Sequence, residues 1–231
     1  MTGRNKTAIE DHFDHSFELE KTLLAKGKAA ALESVRGRIH EPGTVAYVRQ
    51  QEPAGLGHAV WCARHLIHDE PVAVLLADDL ILGSSCLAEM VASYQGGNMV
   101  AVVDVLKSET SSYGIITPGA DHGQLVEVAG LVEKPDPANA TSNIGVVGRY
   151  IIESGVFAQL GTQDRGASNE VQLTDALARQ IGKVPFHGFR FSGERFDCGS
   201  KIGFLQANIA FALQRDDLKQ RLRVWLAGLT R

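Results

Sequence analysis

The sequence predicts a doubly wound α/β sheet with an antiparallel β insertion beside it, and three observations predict it. Pro71-Val72-Ala73-Val74-Leu75-Leu76-Ala77 is apolar on both faces, the pattern of a strand buried in a parallel sheet. Met99-Val100-Ala101-Val102-Val103-Asp104-Val105 repeats that pattern after a helix-compatible stretch, which gives the β–α–β alternation of an open α/β sheet. From Tyr113 to Tyr150 the texture changes to short β-rich runs separated by Gly, Asp and Asn turns, as an antiparallel insertion requires.

The elements follow in chain order. Ile9, Phe13, Phe17 and Leu24 recur at helical spacing behind an acidic start, so helix is expected over 8–35 with a break near Gly27. Thr44-Val45-Ala46-Tyr47-Val48 reads as a strand, closed by Pro53, Gly55 and Gly57. Residues 58–66 and 85–94 are free of breakers and suit helices. The insertion supplies strands at 114–117, 125–127, 131–133 and 144–150. A helix over 170–181 leads to strands at 185–190 and 194–196, and helices at 201–213 and 217–227 close the chain. No repeat and no linker interrupts this order, so a single domain is expected over 1–231.

Composition narrows the class of partner. With 44% apolar and 22% charged residues, the 231-residue chain is expected to fold rather than remain disordered. Its 23 basic residues against 27 acidic ones give no global field for nucleic acid or an anionic membrane. The longest apolar run, 71–77, falls far short of the roughly 18–20 residues that span a bilayer. Three scattered cysteines form no CxxC pair, which speaks against a disulfide framework or zinc knuckle. A soluble, cytoplasmic protein is expected.

Four places carry candidate chemistry. Asp78 and Asp79 follow an apolar strand, where one carboxylate can face the crevice and hold Mg²⁺ or where both can cap the next helix. Lys134, between Glu133 and Pro135, is either a stiffly held charge for a phosphate or a solvated turn lysine. The stretch from Gln50 to His58 sets Gly55 and Gly57 before a helix, allowing close backbone approach to a ligand or merely a tight connection. Asp197 precedes a helix, either as its cap or as a second carboxylate beside Asp78. Cys198 is read as a small buried residue.

Taken in order, several stretches resemble the bacterial UTP–glucose-1-phosphate uridylyltransferases, a branch of the sugar nucleotidyltransferases. They are Thr2-Gly3-Arg4-Asn5-Lys6 with Ala8-Ile9-Glu10-Asp11-His12-Phe13-Asp14, Gly55-Leu56-Gly57-His58-Ala59-Val60, Tyr113-Gly114 and Val132-Glu133-Lys134-Pro135. Asn169-Glu170-Val171-Gln172-Leu173-Thr174-Asp175 and Phe196-Asp197-Cys198-Gly199-Ser200-Lys201 complete the set. The resemblance implies a Rossmann-like mixed sheet of the nucleotide-diphospho-sugar transferase type. It implies attack by a phosphate oxygen of glucose 1-phosphate on the α-phosphorus of UTP, giving UDP-glucose and pyrophosphate.

By position, the resemblance assigns Mg²⁺ to Asp78 and Asp197, with Asp78 favoured over Asp79 because the motif places its acid directly after the small residue, here Ala77. Lys134 would grip the sugar phosphate, and with the two acids it forms the catalytic set. Glu133 and the Gly114 backbone would contact glucose, and Gln50 and Gly55 would read uracil. Homo-oligomers are common in such a family, and the C-terminal helices are the expected interface. Family members also carry an earlier strand and a G-x-G-T-R loop that this sequence does not contain. Uncovered apolar surface at 71–77 and impaired turnover by this chain alone are therefore expected. The alternatives are a non-catalytic UDP-glucose or sugar-phosphate binding fragment, and the same chemistry on another base or sugar.

Overall fold

The computed structural model describes residues 1–162 and 169–229. Three short helices open the chain: α1 (Thr7–His12), α2 (Phe17–Ala25) and α3 (Ala29–Arg36). The expected break falls at Gly27, whose φ is +65°, and a second one separates α1 from α2. Residues 44–48 are not a strand. Val45 and Tyr47 are exposed, and the segment's only ladder contact among the described residues is the Thr2–Arg49 bridge next to it. Its alternation is local, and a strand needs a partner.

Next come α4 (Leu56–Cys62), β1 (Val72–Leu75), β2 (Asp79–Leu82), α5 (Cys86–Ser93) and β3 (Asn98–Asp104). The stretch expected to be an insertion forms β4 (Gly114–His122), β5 (Leu125–Glu133) and β6 (Ile144–Ile152). Then follow α6 (Gly155–Thr162), which the sequence reading does not foresee, α7 (Leu173–Ala178), β7 (Phe186–Arg190), β8 (Glu194–Asp197), α8 (Lys201–Gln214) and α9 (Lys219–Leu229).

Six strands join in one mixed sheet in the order β1-β6-β3-β7-β5-β4. Only β3 and β7 run parallel, and the other pairings are antiparallel. The sheet is thus mostly antiparallel, and the expected insertion is part of it rather than beside it. Helices still cover both faces, because side chains alternate along each strand. Val100 and Val102 of β3 join Val60 of α4, Val156 of α6 and Leu177 of α7 in one core. Met99 and Ala101 face the other way, onto Cys86 and Met90 of α5.

The run 71–77 is corrected in one respect. It supplies β1, an edge strand antiparallel to β6 rather than an interior parallel strand. Its uncovered character is as expected: Leu75 is 51% exposed. Beyond β1 the chain turns into β2, which pairs antiparallel with β8 in a separate two-stranded ribbon. The ribbon register sets Asp79 opposite Asp197, and α8 packs on β8.

Both acids are relieved of helix capping. The cap of α5 is Ser85, whose Oγ accepts from Ala88 N at 3.3 Å. The cap of α8 is Ser200, whose Oγ accepts from Gly203 N at 3.0 Å.

Candidate active site

A cleft of about 330 Å³ opens where the ends of β1, β2, β5 and β8 meet the start of α7. Asp78, Asp79, Gly114, Glu133, Lys134 and Asp197 all line it. Elements far apart in sequence therefore converge, as ligand sites in open α/β sheets do.

At one end stand the acids. Asp79 is buried, and its two oxygens turn inward. Oδ2 accepts from Gly148 N at 2.7 Å and Oδ1 pairs with Arg195 Nε. Asp78 is exposed, and no hydrogen bond or ion pair engages its carboxylate among the described residues. Its backbone oxygen accepts from Cys198 N at 2.8 Å, which ties the β1–β2 turn to the end of β8. Asp197 Oδ1 accepts from Gly199 N at 2.9 Å and its side chain is 46% exposed. A Cβ at Gly199 would lie 3.0 Å from Asp197 Oδ1 and 3.6 Å from Asp78 Oδ2, so both carboxylates flank one point.

At the other end, the β4–β5 register sets Gly114 opposite Glu133. Thr174 Oγ1 donates to Glu133 Oε2 at 2.9 Å, and Glu133 Oε1 lies 3.8 Å from Lys134 Nζ. Lys134 has φ +46°, a left-handed conformation unusual for a non-glycine residue. The Tyr113 carbonyl holds it by accepting from Lys134 N at 2.9 Å. Held strain of this kind clusters at functional positions, and here it keeps a 58% exposed ammonium at the cleft mouth.

Between the two ends lies Arg195, with 14% side-chain exposure. Its Nη1 donates to the Tyr113 hydroxyl at 2.8 Å and its guanidinium stands 5.2 Å from the Tyr113 ring centroid. Burial works against its charge, but the hydrogen bond and charge of Asp79 more than offset that and hold its pKa above the ordinary arginine value. Burial also pushes the Tyr150 phenol well up, helped by the Glu133 and Asp79 charges, so Tyr150 lines the cleft as a neutral hydroxyl.

Gln50 and Gly55 lie apart from these groups. Gln50 Nε2 donates to the Gly55 carbonyl at 3.1 Å and contacts His58 Nδ1 at 2.9 Å. Gly55 has φ +101°, and a Cβ there would come 2.8 Å from the Val171 oxygen. The glycine lets the chain entering α4 touch the segment that enters α7. Gln50 braces that contact, and neither residue lines the cleft itself.

Arg195, Tyr113 and Tyr150 carry no assigned role in the sequence reading, and Thr174 appears there only within a longer stretch. Alternation in β8 would have shown Arg195, two residues before Asp197 and on its face. The Thr174–Glu133 contact spans 41 residues and leaves no local signal.

The acids suit a hard divalent ion in part. Mg²⁺ takes one or two carboxylates and completes its shell with waters and substrate phosphates. Asp78 and Asp197 supply that pair, and among the described residues no group of three or more His, Cys, Asp or Glu forms a closed metal cage.

The fold and this cleft define a nucleotidyl transferase, and a family model described as nucleotidyl transferase matches residues 9–213. A UTP–glucose-1-phosphate uridylyltransferase of Komagataeibacter xylinus is 45% identical over 229 residues, covering 98% of this chain and 78% of that protein. Among solved structures, a UDP-glucose pyrophosphorylase complexed with UDP-glucose matches with TM-score 0.83 at 39% identity, over 93% of this chain and 80% of the other. A UTP-bound UGPase from Acinetobacter baumannii matches with TM-score 0.89 at 34% identity, over 99% and 81%. The chain belongs to the UTP–glucose-1-phosphate uridylyltransferase family.

Proposed function

We propose that the chain handles uridylyl transfer from UTP to glucose 1-phosphate, giving UDP-glucose and pyrophosphate. The observation that carries this reading is the convergence of Asp78, Asp197, Glu133 and Lys134 on one cleft in a chain of this family. In the reaction an oxygen of the sugar phosphate forms a bond to the α-phosphorus of UTP, and the bond to pyrophosphate breaks. No covalent enzyme intermediate is needed, so catalysis rests on positioning and charge.

Lys134 binds the sugar phosphate as a point charge. Glu133, oriented by Thr174, accepts hydrogen bonds from glucose hydroxyls beside the bare Gly114 backbone. Gln50 and Gly55 lie outside the cleft but beside Leu56, which lines it, and at that glycine-rich entry to α4 they would serve the uracil edge. Asp78 and Asp197 would hold Mg²⁺, which when bound neutralises charge on the reacting phosphates.

Two further parts of the reading concern setting and assembly. Cys62, Cys86 and Cys198 are free thiols, which supports a cytoplasmic setting. Among the described residues no helix is long and apolar enough to cross a membrane. Ile202, Leu205 and Ile209 form an exposed apolar stripe along α8, which supports self-association through the C-terminal helices. Sedimentation of the parent chain and of Leu205→Lys tests that interface.

The test of function is Mg²⁺-dependent binding of UDP-glucose by calorimetry, run beside pyrophosphate release from UTP and glucose 1-phosphate. Lys134→Ala should weaken binding about 100-fold with an unchanged melting temperature, since the residue is exposed. Binding indifferent to both Lys134 and Asp197 overturns the reading. Pyrophosphate release assigns turnover to this chain, whereas tight binding without it makes the chain a UDP-glucose binding fragment.

A further inference from the structure

Three carboxylates and one guanidinium share the acidic end of the cleft. Asp79 and Asp197 are direct cross-strand partners in the ribbon, and like charges so placed repel. Arg195 stands between them. Its Nε pairs with Asp79 Oδ1, and its Nη2 lies 3.9 Å from Asp197 Oδ2. Tyr113 fixes the guanidinium from the other side, through its hydroxyl and its ring. Gly148 N engages the remaining Asp79 oxygen. Each Asp79 oxygen therefore already has a partner, although the residue stands opposite an acid read as a cation ligand.

We propose that Arg195 is a positioning residue that makes divalent-cation binding conditional on the nucleotide, by keeping Asp79 from joining Asp78 and Asp197 in a cation site of their own. The proposal rests on the reading of Asp78 and Asp197 as the cation's ligands. Two carboxylates under the field of a guanidinium leave a divalent ion short of both ligands and negative charge. Phosphate oxygens supply what is missing, so the ion stays when the nucleotide does. Without the guanidinium, the end of the cleft gains one net negative charge and a third oxygen donor.

The probe is Mn²⁺, followed by electron paramagnetic resonance on the full chain, with and without UDP-glucose. In the parent chain UDP-glucose should tighten Mn²⁺ binding by about tenfold or more. Equally tight binding without nucleotide overturns the proposal with no variant needed, whether or not the variants fold. Arg195→Gln should raise nucleotide-free Mn²⁺ affinity about tenfold, a gain that loss of structure does not produce.

Arg195→Lys keeps the charge and should stay near the parent. Arg195→Gln combined with Asp79→Asn should return to it, because the third carboxylate is gone. A folded Arg195→Gln chain with unchanged or weaker nucleotide-free affinity overturns the proposal. So does a gain that persists in the double variant or appears equally in Arg195→Lys. Asp197→Asn separates the two readings: if it leaves binding of Mn²⁺ with UDP-glucose intact, the ligand assignment itself fails.

Discussion

In the six-stranded sheet, β3 and β6 contribute residues that are almost all shielded, from Met99 to Val102 and from Ile144 to Val147, and helices close over both faces. The β2–β8 ribbon beside it is built differently. It has two short strands, and at its cleft end the cross-strand contact is an aspartate facing an aspartate with an arginine between them. One body is held by non-directional apolar burial, which tolerates small errors of placement. The other adds to its apolar contacts, Ile81 on the second core cluster and Phe196 against Phe211, a set of directional bonds at the cleft end that fail together once one partner is removed. The cleft lies at their junction, so its Glu133–Lys134 side inherits the stiffness of the sheet and its acidic side depends on the ion pair.

The contrast is tested most severely at Asp79. Asp79→Ala leaves a mostly buried guanidinium with only the 3.9 Å approach of Asp197 as counter-charge and the Gly148 N–H without its acceptor, so urea unfolding should show a loss of about 3–5 kcal/mol. Asp79→Leu with Arg195→Met removes both charges and should recover most of that loss. A loss in the single variant no larger than that of an exposed ion pair would mean the ribbon is held by something else. Gly148 of β6 is one point where the sheet touches the ribbon. A Cβ there would sit 2.5 Å from Asp79 Oδ2 and 2.7 Å from the Leu76 Cβ. Gly148→Ala should therefore cost about 1–3 kcal/mol in the same assay. It should also weaken cation-dependent UDP-glucose binding, because it displaces the carboxylate that anchors Arg195.

The same division explains what the sequence made legible. The strand β3 and helix α5 stand close to where an apolar run and a breaker-free stretch place them, because those signals are local. Asp78, Glu133, Lys134 and Asp197 are legible as strand-end residues, and the structure brings all four to one cleft. Strand direction is not legible in this way. The run 71–77 reads as parallel because it is apolar on both faces, yet its neighbour β6 is antiparallel and more than 70 residues away. The strand β2 has only four residues, the first of them Asp79, and its pairing with β8 crosses about 115 residues. Arg195, Tyr113 and Thr174 act through partners 41 to 116 residues away, so no window of sequence contains the interaction.

Tyr113 gives a finer probe of the ribbon side. Tyr113→Phe keeps the ring beneath Arg195 and the backbone bond to Lys134 but removes the hydroxyl that accepts from Nη1. The expected loss is about 1 kcal/mol of stability, as for one partly buried hydrogen bond. A loss as large as that of Asp79→Ala would show that the phenol, rather than the carboxylate, is the main anchor of the guanidinium.

The smallest effect is expected at an ion pair on the sheet itself. Arg190 at the end of β7 binds Asp121 near the tip of β4 with two contacts of 3.0 Å, but the aspartate is half exposed. Solvent and salt screen such a pair, so Asp121→Asn should leave the urea midpoint unchanged within error at neutral pH. The Arg190 hydrogen bond, with that from Gly123 N, holds the Asp121 carboxyl below its ordinary value of 3.8. Any contribution it makes is therefore complete above that value and is lost as pH falls through the lower folded-state value. The parent and variant curves should converge in strong acid, and a gap that widens on acidification would reverse the sign. A clear neutral-pH loss at Asp121 beside a negligible one at Asp79 would invert the division between the two bodies, with the sheet depending on ions and the ribbon on packing.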